Sequence, residues 1–225
     1  MVDGNDRNRG PVWRRLRGMR RLVLAGGLLA ALALPAEAGR SNIVPADAFA
    51  PAYGSTLPPI GFVDFCARYR GECRPKGFTA ARVHLTRQRW QILEQVNRFI
   101  NRKVEPVTDL ALYNRPEVWE YPTNAGDCED YVLLKKKYLE GLGFPPETLL
   151  ITVVLDEKGG GHAVLMVRTD RGDYVLDNRR DAILLWNRTG YTYLKRQSQR
   201  DPGKWVALTR SQGAKARFLS NNRRR

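Results

Sequence analysis

The sequence predicts an α+β fold in which helices lead into an antiparallel β-sheet. Three observations predict it. Apolar residues recur at helical spacing from Thr79 to about Lys103, and again from Asp127 onward. Three short runs rich in β-branched and apolar residues (149–156, 162–169 and 173–178) then follow one another, separated only by the turn-forming stretches EKGGG and DRG. Helices that precede consecutive strands, rather than alternating with them, favour an antiparallel sheet over a parallel one.

The first 38 residues read as an export signal. RRLRGMRR (14–21) supplies a positive region and LVLAGGLLAALAL (22–34) an apolar run of 13 residues, too short to span a bilayer comfortably. PAEA (35–38) places small residues at Ala36 and Ala38, so the mature chain is expected to begin near Gly39 and to keep no stable membrane anchor. A retained short anchor is the competing reading, and Arg14 and Arg15 leave a twin-arginine route open. Residues 39–61, rich in Pro, Gly and small side chains, are expected to run as an extended lead-in to a domain over 62–210. Residues 211–225 end in NNRRR and read as a basic, frayed tail.

Composition narrows the function classes. The chain has 225 residues, is 43% apolar and carries a net charge of +15, so it can bury a core and is not a disordered polymer. Residues 1–38 hold seven arginines against three acids, which leaves +11 on the chain after them. Such a surplus suits an acidic partner or an anionic envelope polymer. Nucleic acid is not expected as a partner, because the basic residues are scattered, the aromatic ones are not interleaved with them, and export removes the protein from most nucleic acid. A solvated basic surface is the simpler reading.

The cysteines agree with export. Cys66 and Cys73 stand six residues apart in FCARYRGEC, while Cys128 lies more than fifty residues further on. An oxidising compartment is expected to pair the first two and leave Cys128 free. Metal binding by Cys66 and Cys73 is the alternative, although a chain with two histidines offers no second pair of soft ligands at suitable spacing.

The remaining elements follow in order. Leu85, Ile92, Val96 and Phe99, with Leu93 and Ile100 beside them, give the first long helix a core-facing side, and Pro106 ends the pattern. YNRPEVWEYPTNAG (113–126) contains breakers and large aromatics and is expected to fold back on itself. From Asp127 the apolar positions Cys128, Tyr131, Val132, Leu134, Tyr138, Leu139 and Leu142 share a broad face, with Lys135 to Lys137 partly outside it and Gly143 near the C-cap. The segment 191–206 mixes aromatics and charges without a period that selects helix or strand.

Cys128 is thereby placed in the first turn of a helix, where backbone N–H groups and the positive end of the dipole favour a thiolate. A nucleophilic cysteine needs a base, and the base works better when a carboxylate orients it. His84 reads as a surface residue; His162 opens a strand, and Asp177 lies fifteen residues on, in the next one. If that hairpin turns at Arg171 and Gly172, facing residue numbers sum to 343. His162 and Asp177 then share a face but stand four positions out of register, roughly 13 Å apart. An even-numbered shift in register is needed to bring them together. A buried hydrophobic Cys128 and a structural His162 are the competing readings.

Asp127, Glu129 and Asp130 crowd the same helix start. They suit a helix N-terminus, yet three negative charges oppose a thiolate. A hard cation such as Ca²⁺, held by these three carboxylates, would reverse that field. Trp119 and Asn124 stand near enough in sequence to line a cleft or complete an oxyanion hole, although packing and turn roles compete.

NAGDCEDYVLLKKKYLEGLGF, HAVLMVRT and YVLDN together resemble the bacterial transglutaminase-like cysteine proteinase family, whose best-known members are LapG-type periplasmic proteases. The resemblance implies a papain-like or transglutaminase-like fold, with the nucleophile helix packed on an antiparallel sheet. It implies a triad of Cys128, His162 and Asp177 and a calcium site carried onto Asp127, Glu129 and Asp130. It further implies a protein substrate, a large surface adhesin in LapG-type members, and control by an inner-membrane receptor for cyclic di-GMP. FCARYRGEC and the ending TGYTYLKRQSQRDPGKWV set this chain apart from the adhesin-cleaving branch. A peptidoglycan amidase or transglutaminase sharing the triad, and a non-catalytic basic envelope-binding module, are the competing functions.

Overall fold

Helix α4 (Cys128–Gly141) has no single apolar stripe, because its surroundings bury it on nearly every side. Tyr131, Val132, Leu133, Leu134 and Leu139 are buried, and so are Glu129, Asp130, Lys135 and Lys136. The run of lysines expected partly outside the core is therefore mostly inside it. Lys136 is tolerated there because its amine donates to the carbonyls of Pro146 and Leu149, at 3.0 and 2.6 Å. This is a computed structural model. It describes residues 44–77 and 80–211, all within the unit Asn42–Arg225. The expected export signal, the first residues of the lead-in and the tail from 212 onward lie outside the described residues.

Short strand β1 (Ser55–Thr56) ends the lead-in, and Pro59 starts helix α1 (Ile60–Arg68). Cys66 near the end of α1 is joined to Cys73 by a disulfide, with Cα atoms 5.6 Å apart, and Cys128 is the free cysteine. Helix α2 (Arg87–Lys103) begins later than the periodicity suggests. Residues 80–86 are diverted because Val83 pairs with the sheet: its N–H donates to the Arg168 carbonyl at 2.9 Å, and its own carbonyl accepts from Asp170 N–H at 3.0 Å. Thr86 then caps the helix, its hydroxyl accepting from Arg89 N–H at 3.1 Å.

After α2 come β2 (Glu105–Pro106) and the short helix α3 (Asp109–Tyr113), ended by Asn114 in a left-handed conformation at φ 51°. Strand β3 (Ala125–Gly126) returns to pair in parallel with β2, so the 113–126 segment folds back as expected. Immediately after β3, α4 begins.

The remaining strands are β4 (Leu149–Leu155), β5 (Gly161–Thr169), β6 (Gly172–Leu176), β7 (Leu184–Leu185), β8 (Thr192–Gln197) and β9 (Trp205–Ala207). With β1 they form a seven-stranded antiparallel sheet in the order β1-β9-β8-β4-β5-β6-β7. Alternation divides the interior into two layers. Leu149, Ile151, Ala163, Leu165, Val167 and Leu176 pack towards the helices. Leu150, Val154, Val164, Met166 and Val175 pack with Ala50, Tyr191, Tyr193 and Leu208 on the other side. The segment that showed no period, 191–206, supplies β8 and β9; buried Arg196 and Gln197 mask its alternation.

The β5–β6 hairpin turns one residue earlier than Arg171–Gly172. Thr169 faces Gly172 and Leu165 faces Leu176, so facing numbers sum to 341 and Asp170 with Arg171 make the turn. Gly172 has φ +131°, and a side chain there would meet Leu185 and the Ala48 carbonyl.

Candidate active site

That two-residue change in register assembles the polar centre. Asp177 now stands two positions from the residue paired with His162, and the mismatch of roughly 7 Å is closed because Asp177 lies just beyond the end of β6. His162 Nε2 lies 2.9 Å from Asp177 Oδ1. Both side chains are buried. The same Oδ1 accepts from Arg179 N–H at 3.0 Å, while Oδ2 accepts from the Tyr191 hydroxyl at 2.6 Å. The Tyr191 ring meets the imidazole edge-on, with centroids 5.5 Å apart. Burial alone would raise the Asp177 pKa, but the hydrogen bonds from His162, Tyr191 and Arg179 N–H bring it down to about 2.

Cys128 approaches from the start of α4. The β5–β6 ladder ends at Leu165, which leaves the edge of β5 unpaired with β6 at Ala163. There the Ala163 backbone N–H acts on the Cys128 sulfur in the sense that favours its thiolate. The residue next to Ala163 is His162, whose Nδ1 is buried and makes no hydrogen bond. The thiol itself donates to Glu129 Oε2 at 3.1 Å. Burial, then the charge and hydrogen bond of Glu129, hold the thiol well above its ordinary range; the Ala163 N–H acts in the opposite sense. In this arrangement the sulfur faces Glu129 rather than the imidazole.

The acids around α4 separate into two groups that share Asp127. One joins Asp127 and Glu129 to the Cys128 sulfur; the other joins Asp127 and Asp130 to Asp109 of α3. Asp127 and Asp130 are three residues apart and so face the same way on a helix, whereas Glu129 is rotated away from that line. Asp109, which carried no local signal in the sequence, reaches the group because the β2–β3 pairing brings α3 against the start of α4. Asp109 N–H donates to Asp127 Oδ2 at 3.3 Å, Asp109 Oδ2 accepts from Val118 N–H, and Asp130 Oδ1 accepts from Glu120 N–H at 2.8 Å. Burial first, then the neighbouring charges, push Asp130 up to about 8 and raise Asp109 as well. Burial and Asp127 likewise raise Glu129. One oxygen on each of Asp109, Asp127 and Asp130 (Oδ1, Oδ1 and Oδ2) is buried without a hydrogen bond.

Trp119 is not a cleft residue. It is 2% exposed and packs edge-on against Phe62 and Trp205, with centroids 5.5 and 6.5 Å away. Gly61 leaves room for its indole; a Cβ there would lie 2.4 Å from Trp119 Cδ1. Asn124 is exposed, and its carbonyl accepts from Glu105 N–H at 2.8 Å, a bond of the β2–β3 pairing. His84 is exposed and pairs with Asp170. Tyr191, which fixes Asp177, was not singled out by spacing, because it lies in the segment without periodicity.

Residues 52–213 match the sequence profile of the bacterial transglutaminase-like cysteine proteinases. No curated protein matches the chain. Among solved structures, calcium-bound LapG from Legionella pneumophila is 27% identical, covering 54% of this chain and 71% of that one, with a TM-score of 0.46. The EGTA-treated form of the same protein is also 27% identical, over 54% of this chain and 69% of that one, with a TM-score of 0.45. The profile spans most of the chain, and with it the helix, both strands and every acid described above. The chain belongs to the bacterial transglutaminase-like cysteine proteinase family and is a cysteine peptidase of the transglutaminase-like type.

Proposed function

We propose that the protein is an exported endopeptidase that cuts an envelope or surface protein using Cys128, His162 and Asp177. One observation carries this reading: a buried imidazole is fixed through Nε2 by Asp177, its Nδ1 has no hydrogen bond, and the backbone N–H of the next residue along the strand favours the Cys128 thiolate. Rotation of the thiol away from Glu129 offers its proton to Nδ1. The sulfur then attacks a peptide carbonyl, backbone N–H groups at the start of α4 hold the oxyanion, and His162 returns the proton to the departing amine. Water releases the acyl group by the same base. Asp177 keeps the ring in one tautomer.

Calcium fits the second acidic group. Asp109, Asp127 and Asp130 each offer a carboxylate oxygen within 4.8 Å of the others, and each has one buried oxygen without a hydrogen bond; these are the hard oxygen donors that Ca²⁺ prefers. These three residues, rather than Asp127, Glu129 and Asp130 together, would hold the ion. When bound, it would offset the negative field beside Cys128. Glu129 has a different role in this reading, as the acceptor of the resting thiol.

The export signal at 1–38 and a periplasmic location complete the proposal, together with a domain over 62–210 behind an extended lead-in. A large surface adhesin is the proposed substrate, and an inner-membrane cyclic di-GMP receptor the proposed regulator; both rest on the sequence resemblance. Among the described residues no helix is long and apolar enough to cross a membrane.

The test is to incubate the mature protein with its cell-envelope fraction, with calcium or a chelator, beside Cys128→Ala, and to identify new protein termini by mass spectrometry. Fragments that require Cys128 and gain water are expected. Equal fragments from the alanine variant, or products that lose ammonia without new termini, contradict hydrolysis by this thiol.

A further inference from the structure

Asp177 is held from a second side, which the triad does not use. Its carboxylate is occupied by His162, Tyr191 and Arg179 N–H and pairs with Arg180 Nε at 3.4 Å, while its backbone carbonyl accepts from Asn101 Nδ2 at 3.0 Å. Asn101 lies on α2, a separate helix. The same amide reaches Asp181 Oδ1 at 3.0 Å and the Arg180 carbonyl at 3.3 Å. One helical turn earlier, Asn97 is wholly buried, and its Nδ2 donates to the carbonyls of Arg180 and Asp181 at 3.1 and 3.0 Å. Residues four apart share a helix face, so two stacked amides meet one turn of chain.

That turn needs holding. It leaves the sheet after Leu176, and the chain rejoins it only at Leu184 and Leu185, which form β7 beside β6. Between them the backbone has no ladder partner, and the carbonyls of Asp177, Arg180 and Asp181 are met by side-chain donors. On an otherwise apolar inner face of α2, made of Leu93, Val96 and Ile100, two buried or half-buried amides are costly unless each donor is used. Their donors are used on residues 177–181, the segment that begins with the proposed triad carboxylate.

We infer that Asn101, supported by Asn97, is a positioning residue for the reaction: it fixes the Asp177 backbone and thereby the direction in which the carboxylate meets His162 Nε2. Neither residue is among those that touch His162. The inference rests on the triad proposed above, and its test separates the two.

The protein contains two histidines, so ¹⁵N-histidine labelling gives two sets of ring signals, and His84→Gln identifies those of His162. In the wild type, the ring N–H shared with Asp177 is expected to be downfield and slow to exchange, and Asp177→Asn is expected to abolish that signature. Asn101→Ala is expected to accelerate exchange of this proton about fivefold, the effect of losing one ordinary hydrogen bond, in a protein that remains folded. Asn101→Gln, which keeps the donor, recovers part of the protection. Asn101→Asp, which keeps the size and loses the donor, does not. Should Asn101→Ala fail to fold, the comparison of Gln with Asp decides. An unchanged His162 signal in Asn101→Ala, or equal signals in the Gln and Asp variants, overturns the positioning role. An Asp177→Asn protein with the wild-type signature overturns the triad reading instead.

Discussion

At the scale of single residues, Asp177 shows how hydrogen bonds outweigh burial. Its carboxyl is depressed to about 2, so the stability it adds is fully present above the ordinary Asp range near pH 4 and is lost as pH falls through about 2. Thermal unfolding between pH 5 and pH 2 is therefore expected to be less acid-sensitive in Asp177→Asn than in the wild type; an equal slope would show that the carboxylate is not held in this way. The sequence disclosed Cys128, His162 and Asp177 as chemically suitable types on one helix and two strands. It did not disclose Asp109, because nothing local distinguishes an acid in a short helix that becomes important only when β2 pairs with β3. Asp130 and Glu129 are adjacent in sequence but fall in different acidic groups of the structure. The helix turns through about a quarter-circle per residue, so neighbours in sequence address different partners.

At the scale of elements, α4 carries both the proposed nucleophile and an uncommon liability. Lys135 is fully buried, its Nζ has no hydrogen bond, and burial lowers its pKa to about 7 against the opposing pull of Asp177 and Asp181. The unfolded chain binds a proton here more readily than the folded one between about pH 7 and the ordinary Lys range, so this group makes stability rise with pH over that interval. Lys135→Met should then raise stability by ~1 kcal/mol or more at pH 7, and by less at pH 10, measured by denaturant unfolding. A loss of stability at both pH values would mean that the amine has a partner that matters. The lysine run reads as partly outside the core because sequence shows which residues are charged, not how many neighbours surround a helix. In the β5–β6 hairpin, by contrast, parity was legible: His162 and Asp177 fall on one face whichever even register is chosen. The turn itself, set by two residues and by Gly172, decided whether they touch.

For the molecule as a whole, the α+β class and the antiparallel sheet were readable from the order of patterns, and the disulfide from spacing and compartment. The ends of the sheet were not, since β8 and β9 are half-masked by Arg196 and Gln197, polar residues that the fold buries between its layers. The proposed calcium site at the start of α4 would couple this architecture to its surroundings. Three elements, α3, the 117–120 segment and α4, converge on Asp109, Asp127 and Asp130, so an ion there should hold them together. Calcium is expected to raise the melting temperature and EGTA to reverse the rise, and Asp109→Asn is expected to remove most of the response. A response that persists in Asp109→Asn and disappears in Glu129→Gln would place the ion in the other acidic group.

The account depends on Cys128 leaving Glu129 and meeting His162. A crystal structure of the calcium-treated protein carrying a peptidyl aldehyde tests this most directly. The account predicts a covalent adduct on Cys128 Sγ, with His162 Nδ1 within hydrogen-bond reach of the adduct and Nε2 still on Asp177. An adduct whose sulfur remains on Glu129 while Nδ1 stays unpaired, or no adduct on Cys128 at all, would contradict it.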